Sequence, residues 1–193
     1  KPFLKILNIR WHATNEVEKK TIEDTIKFSE SKIVVSSNLI TINKSIKSQK
    51  HSFKENNQLN ILICGRISPV KNITMSLDCV MKLKGKIKVD IWGQVDDMKY
   101  WDLCLKKIYK MPKNIFVSYK GTFHPNNIKQ IFHGKDLLLM PSLSENFGYA
   151  IFEAFSFGVP VITSKNTPWI DLNKKGVGFD VDILNKEKFI KCL

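Results

Sequence analysis

The chain has 193 residues, 43% hydrophobic and 25% charged, with a formal net charge of +13. That is enough for one well-cored domain and part of a second, and no apolar run reaches the ~18 residues of a membrane-spanning helix. Four scattered cysteines (Cys64, Cys79, Cys104, Cys192) show neither Cys-x-x-Cys pairs nor metal-ligand spacing, which argues against zinc and a disulfide framework and for a reducing compartment.

Arg10 and Arg66 are the only arginines, so the positive charge is almost all lysine. Such an excess fits a solvated lysine surface in a Lys/Asn/Ile-biased chain. It also fits a field that attracts phosphate-bearing substrates or an anionic membrane face. The basic residues are spread out, without a helix-turn-helix, zinc-finger or RNP signature, which argues against nucleic acid as partner. The chain opens on Lys1 and stops in an amphipathic stretch at residues 189–193. Both ends read as cuts in a longer protein.

In chain order, residues 3–9 alternate weakly. A polar helix opens near Thr14, a plausible N-cap, with acidic residues in its first turn. Residues 32–35 form a β-branched strand, and residues 44–58 read as a polar linker. From residue 59, strands and helices alternate: strand 59–64, helix 72–84, strand 87–92, helix 96–110, strand 115–119, short helix 126–133, strand 136–140, helix 147–157 and strand 159–163. The strand at 136–140 is almost continuously apolar, as expected of one buried on both faces. This alternation predicts an α/β fold, a doubly wound parallel sheet, in which ligands bind beyond the carboxyl ends of the strands.

Three strand ends are candidates. The first is Gly65-Arg66-Ile67-Ser68-Pro69-Val70-Lys71-Asn72. Gly65 permits an unusual backbone angle, Arg66 offers a planar fork of donors, and Lys71 places a point charge near a helix start, together a plausible diphosphate clamp. An ordinary βα turn with solvated charges fits the same residues. The second is Pro141-Ser142-Leu143-Ser144-Glu145-Asn146-Phe147-Gly148-Tyr149. Gly148 near the helix start lets a ligand approach the backbone. Further on, Glu153 lies among Ile151, Phe152, Ala154 and Phe155, where a carboxylate is costly unless paired; a ribose diol would satisfy it. The alternative makes Glu145 a dipole-favoured residue and Glu153 an exposed helix position. The third is Thr163-Ser164-Lys165-Asn166-Thr167-Pro168-Trp169, whose small hydroxylated residues either line a pocket mouth or form a loop anchored by Trp169. His124 follows a strand and is a weaker candidate beside the nucleotide. No Ser/His/Asp set and no Walker phosphate loop is readable.

Taken together, Gly65-Arg66-x4-Lys71, Gly93, Gly121, Asp136-Leu137-Leu138-Leu139-Met140-Pro141-Ser142, the pair Glu145-x7-Glu153 with Phe147-Gly148 between, and Gly158-Val159-Pro160-Val161-Ile162 resemble the group 1 (family 4) glycosyltransferases of the GT-B fold. The resemblance spans residues 59–171. Trp11-His12-Ala13-Thr14 and Val34-Val35-Ser36-Ser37-Asn38-Leu39 look like the end of that family's N-terminal domain. Two departures are Asn72, where the pattern often has glycine, and Gly93-Gln94-Val95, which lacks a second glycine.

The resemblance implies a Rossmann-like, nucleotide-sugar-binding domain at residues 59–193, a linker at 46–58, and a remnant of the acceptor domain at 1–45. It implies transfer of a sugar, with retention of configuration, from a nucleotide-diphosphate sugar to a glycan or lipid-linked acceptor. Arg66 and Lys71 would stabilise the leaving diphosphate. Gly65, Glu145, Asn146, Phe147, Gly148 and Tyr149 would meet the donor sugar and phosphate, and Glu153 the ribose. No metal or other cofactor is implied, and UDP, GDP and ADP all stay open. Thr167-Pro168-Trp169 resembles a subgroup that builds bacterial surface polysaccharide, which implies a cytoplasmic enzyme. A nucleotide-sugar-binding module and a GT-B sugar-nucleotide epimerase are the alternatives.

Overall fold

The computed structural model describes residues 10–26, 33–36 and 57–193. The chain divides into two units, residues 1–42 and 43–193. The weakly alternating residues 3–9, and all of the linker 44–58 except Asn57 and Gln58, lie outside the described residues.

In the first unit, β1 (Trp11–Ala13) pairs in parallel with β2 (Ile33–Val35), and α1 (Glu16–Ile26) lies between them in sequence. The helix is capped one residue later than expected. The Asn15 Oδ1 accepts from the Glu18 N–H at 2.8 Å, while the Thr14 N–H and Oγ1 donate to Glu18 Oε2 at 2.7 and 2.6 Å. Asn15 takes the cap because its short side chain reaches the third helical amide, and Glu18 reaches back, as in a capping box. These bonds hold the Glu18 carboxyl below its ordinary pKa, the Thr14 hydroxyl contributing most.

In the second unit, β3 (Gln58–Cys64), β4 (Lys86–Trp92), β5 (Ile115–Tyr119), β6 (Leu137–Met140), β7 (Val161–Ser164) and β8 (Gly178–Val181) form one parallel sheet in the order β5-β4-β3-β6-β7-β8. One face carries Ile61, Ile63, Val89, Ile91, Leu137 and Leu139 against α2 (Ile73–Val80), α3 (Met98–Ile108) and α6 (Lys186–Cys192). The other carries Leu62, Cys64, Leu138 and Met140 against α4 (Ile128–Phe132) and α5 (Tyr149–Ser156). The expected doubly wound sheet is therefore present. β6 is buried at every position, as its unbroken apolar run requires.

Boundaries shift for local reasons. The expected helix 72–84 ends at Val80, where the chain tightens into three-residue turns (Lys82 N–H to Cys79 O, 3.1 Å; Leu83 N–H to Val80 O, 2.9 Å). α3 starts at Met98 because the Asp97 side chain accepts from the Tyr100 N–H at 2.9 Å. α5 starts at Tyr149, after Gly148 in left-handed backbone (φ 78°). β7 starts at Val161, after Pro160, whose carbonyl accepts from the Leu138 N–H at 2.9 Å. β8 was not expected from the sequence: it is four residues long and begins on glycine. Among the described residues, no helix is long and apolar enough to cross a membrane.

The sheet reverses its winding between β3 and β6, the neighbours from which the chain leaves toward opposite faces. Gly93 ends β4 beside this point, at φ 151°. A Cβ there would stand 1.9 Å from the Gly65 carbonyl oxygen. Gly93→Ala therefore forces apart the loops after β3 and β4. The expected loss is more than about 2 kcal/mol of stability, read as a lower denaturation midpoint in urea with an unchanged slope.

Candidate functional site

Two loops meet at the switch point. After β3, the chain turns at Gly65, passes Arg66 and makes a 3₁₀ turn at Pro69–Lys71. After β6, Pro141 and Ser142 are buried and the chain runs past Glu145 to Gly148. The Leu143 N–H donates to the Val70 carbonyl at 2.7 Å, joining the loops through their backbones. The Lys71 ammonium donates to Glu145 Oε1, which also accepts from Ser142 Oγ at 2.8 Å. The side chains of this pair are 19% and 9% exposed. The Lys71 stem lies over Gly65, where a Cβ would meet its Cε at 3.3 Å. Gly65 is thus required by the lysine's path as well as by its own φ of 145°.

Asn72 departs from the family pattern in residue type but not in backbone. Its φ of 51° and ψ of 42° are the left-handed conformation that glycine adopts without strain and asparagine tolerates better than most residues.

Arg66 is placed differently from Lys71. Its side chain is 74% exposed, and its guanidinium donates to Asp96 Oδ2 at 3.1 Å, in the loop after β4. The candidate residues Asn146, Phe147 and Gly148 lie between Glu145 and α5, and Tyr149 is the first residue of that helix, with its ring half exposed. The Ile151 and Phe152 amides donate to the Gly148 carbonyl at 2.9 and 3.3 Å, so among the described residues the amides of Gly148, Tyr149 and Ala150 remain as donors at this end of α5, beside the positive end of the dipole.

Glu153 is one turn further along α5 and only partly exposed. Its carboxylate makes no hydrogen bond or ion pair with the described residues, and burial raises its pKa from 4.5 to about 7. The Cys64 thiol at the end of β3 is pushed up to about 12, first by burial and then by the negative charge of Glu153, with Lys71 acting in the opposite direction.

The third candidate loop turns its hydroxyls inward. Thr163 and Ser164 are fully buried and Thr167 is 6% exposed. Their hydroxyls donate to the carbonyls of Met140, Ser142 and Ser164 respectively. They do not line a pocket mouth; Trp169 anchors the loop, as the second reading of that segment had it. His124 is exposed and accepts from the Asn126 N–H at 3.3 Å. Sequence reasoning assigned no role to Ser142 or Asp96, the residues that hold Glu145 and Arg66. Ser142 had a signal, as a hydroxyl directly after a buried strand. Asp96 had none, since its partner is 30 residues away.

The switch point of the sheet thus carries a lysine–carboxylate pair, a glycine-initiated helix and a half-buried glutamate, at the position where open α/β sheets hold their ligands. Residues 19–192 match the family described as Glycosyl transferases group 1, and the chain belongs to that family. It is similar to the GtfA subunit of the UDP-N-acetylglucosamine–peptide N-acetylglucosaminyltransferase of Streptococcus agalactiae, at 25% identity over 153 residues, covering 77% of this chain and 29% of that protein. It is also similar to an uncharacterized glycosyltransferase of Methanocaldococcus jannaschii, at 29% identity over 107 residues, 54% of this chain and 26% of that protein.

The fold is similar to that of S. aureus TarM in complex with fondaparinux, alpha-GlcNAc-glycerol and UDP: TM-score 0.73, 20% identity, 97% of this chain and 36% of that one. It is similar as well to WaaG, a glycosyltransferase involved in lipopolysaccharide biosynthesis: TM-score 0.71, 18% identity, 94% of this chain and 51% of that one. Anabaena HepE in complex with UDP and glucose superposes with a TM-score of 0.70 at 17% identity, over 94% of this chain and 52% of that one. These neighbours bear out the GT-B fold. The chain spans 26% to 29% of the length of the two curated relatives.

The raised pKa of Glu153 has a signed consequence. Between pH 4.5 and about 7 the folded chain binds this proton more tightly than the unfolded chain. Its contribution to stability is therefore present at low pH and is lost as pH rises through 7. Glu153→Gln removes that slope. The variant should melt a few degrees above the parent at pH 8, and the gap should close near pH 4.5, as read by thermal unfolding across a pH series.

Proposed function

We propose that this chain is the donor-binding part of a retaining glycosyltransferase that moves a sugar from a nucleotide-diphosphate sugar to a glycan or lipid-linked acceptor. In this reading residues 59–193 hold the donor, 46–58 are the linker, and 1–45 end the acceptor-binding domain. The observation that supports it is the Lys71–Glu145–Ser142 cluster, which joins the loops after β3 and β6 just ahead of α5, together with the carboxylate of Glu153 on that helix, unpaired among the described residues.

Each group has a role that follows from its chemistry. Breaking the sugar–phosphate bond builds negative charge on the diphosphate. Donors already aimed there lower the barrier without reorganising. Lys71 is held in place by Glu145 and is the fixed donor. Arg66 is exposed and supplies a planar fork once it leaves Asp96. The amides of Gly148, Tyr149 and Ala150 donate to phosphate or sugar oxygens. Glu153, which has no partner among the described residues, accepts from the ribose hydroxyls. The donor is a substrate, and the chemistry assigned to these residues uses no cofactor.

Among the similar proteins, the GtfA subunit belongs to an enzyme that uses UDP-N-acetylglucosamine, and WaaG is involved in lipopolysaccharide biosynthesis. We extend the second to this chain as its role: synthesis of bacterial surface polysaccharide on the cytoplasmic side. The net charge of +13 favours both a phosphate-bearing donor and contact with an anionic membrane face.

In the full-length enzyme, Arg66→Ala and Lys71→Ala should each reduce turnover by on the order of 10²-fold; Arg66→Ala leaves the melting temperature nearly unchanged, whereas Lys71→Ala also lowers it, because Glu145 is left buried without its counter-charge. Steady-state kinetics beside thermal unfolding measures this, and near-normal turnover in both variants rejects the assignment. Calorimetry with UDP, GDP and ADP identifies the base, and conversion of a nucleotide sugar without any acceptor would favour the epimerase alternative.

A further inference from the structure

The loop after β7 grips the donor loop along its length. The Thr163 Oγ1 donates to the Met140 carbonyl at 2.8 Å and the Ser164 Oγ to that of Ser142. The Asn166 Nδ2 donates to the Leu143 carbonyl at 3.0 Å, and the Asn166 carbonyl accepts from the Glu145 N–H at 3.2 Å. The last contact is the indole N–H of Trp169, which donates to the Phe147 carbonyl. A segment with its backbone groups occupied in this way cannot rotate its peptides without losing bonds.

From this we infer that Trp169 is a positioning residue for the nucleotide-sugar donor, acting through the Phe147–Gly148 peptide. The inference rests on the donor-site reading above. A trans peptide is planar, so its C=O and the next N–H point in opposite directions. Fixing the Phe147 carbonyl on the indole therefore fixes the Gly148 amide on the opposite side. That amide makes no hydrogen bond with the described residues. The indole itself is fixed: its ring meets Phe147 edge-on at 5.6 Å and Phe155 at 5.5 Å. Gly148 completes the fit, since a Cβ there would stand 3.2 Å from the indole nitrogen. The tryptophan thus sets the direction of the first free donor at the α5 end, without touching the ligand.

The test separates the N–H from the ring. In the full-length enzyme, Trp169→Phe keeps an aromatic ring. Trp169→3-benzothienylalanine keeps the bicyclic outline and also lacks the N–H, so it carries the test if the phenylalanine variant does not fold. Phe155→Leu disturbs the same aromatic cluster and keeps the N–H. Calorimetry against UDP, GDP and ADP measures nucleotide affinity, and thermal unfolding measures stability.

The expected result is a rise of roughly five- to tenfold in Kd for the bound nucleoside diphosphate in the variants lacking the N–H, the size of one net hydrogen bond, with melting points within a few degrees of the parent. Phe155→Leu should lower the melting point with Kd within about twofold of the parent. An unchanged Kd in the 3-benzothienylalanine variant overturns the inference, as does an equal loss of affinity in Phe155→Leu, which would make the role structural only. A parent enzyme that binds none of the three nucleotides overturns the donor-site reading itself.

Discussion

The site exists because two adjacent parallel strands send their chains to opposite faces. After β3 the polypeptide goes to α2 on one side, and after β6 it goes to α5 on the other. Backbone pairing between the strands ends there, and a crevice opens that a sheet wound in one direction would not have. The structure closes the crevice at its base with one backbone hydrogen bond, Leu143 to Val70, and one ion pair, Lys71 to Glu145. Two loops 74 residues apart in sequence are thereby joined before any ligand arrives. A lysine this buried needs a counter-charge, and Glu145 supplies it through one oxygen while Ser142 holds that oxygen in place. The position of the ammonium therefore does not depend on a ligand.

The two cations of the Gly65-Arg66-x4-Lys71 segment divide the work by burial. Lys71 is enclosed and already paired, so little ordering remains when an anion binds. Arg66 is exposed, and exposed ion pairs contribute at most about 1 kcal/mol. Its bond to Asp96 is therefore cheap to break, and the guanidinium can move from one acceptor to another. One fixed donor and one recruitable donor suit a ligand whose charge grows during reaction: the first is pre-aimed, and the second can follow the charge. The bond to Asp96 ties the guanidinium to the loop after β4.

Most of the framework was legible from the residues because it is set by short-range patterns. The apolar run of β6 announces burial on both faces, the alternation of strands and helices announces the parallel sheet, and glycine marks the ends of β3 and β4. What escaped notice depends on contacts between distant segments. β8 pairs along the edge of the sheet through a short stretch that begins on glycine and exposes Phe179, so no periodicity marks it. The hydroxyls of Thr163, Ser164 and Thr167 suited a pocket mouth equally well until their acceptors were known, and those acceptors lie up to 23 residues away. Asn72 looked like a departure from the pattern by residue type. By backbone angle it is not one, because asparagine is among the residues that tolerate the left-handed region.

Glu153 is where local chemistry and stability disagree. The other side chains of the site are satisfied: Lys71 has Glu145, Glu145 has Ser142, and the carbonyls of Leu143 and Phe147 have the side chains after β7. Glu153 alone among these groups is a half-buried carboxylate with no donor and a pKa pushed toward neutrality by burial. Folding would be favoured by a glutamine or an apolar residue there, since desolvating a charge without a partner opposes stability. A frustrated group in an otherwise consistent site is the pattern expected where function rather than folding sets the residue. The missing partner must supply hydrogen-bond donors and no further negative charge beside the carboxylate. A neutral vicinal diol meets both conditions, whereas a phosphate meets neither. In the proposed reading this sets the polarity of the site: the cation and the helix amides face the charged part of the donor, and the carboxylate faces its hydroxylated part.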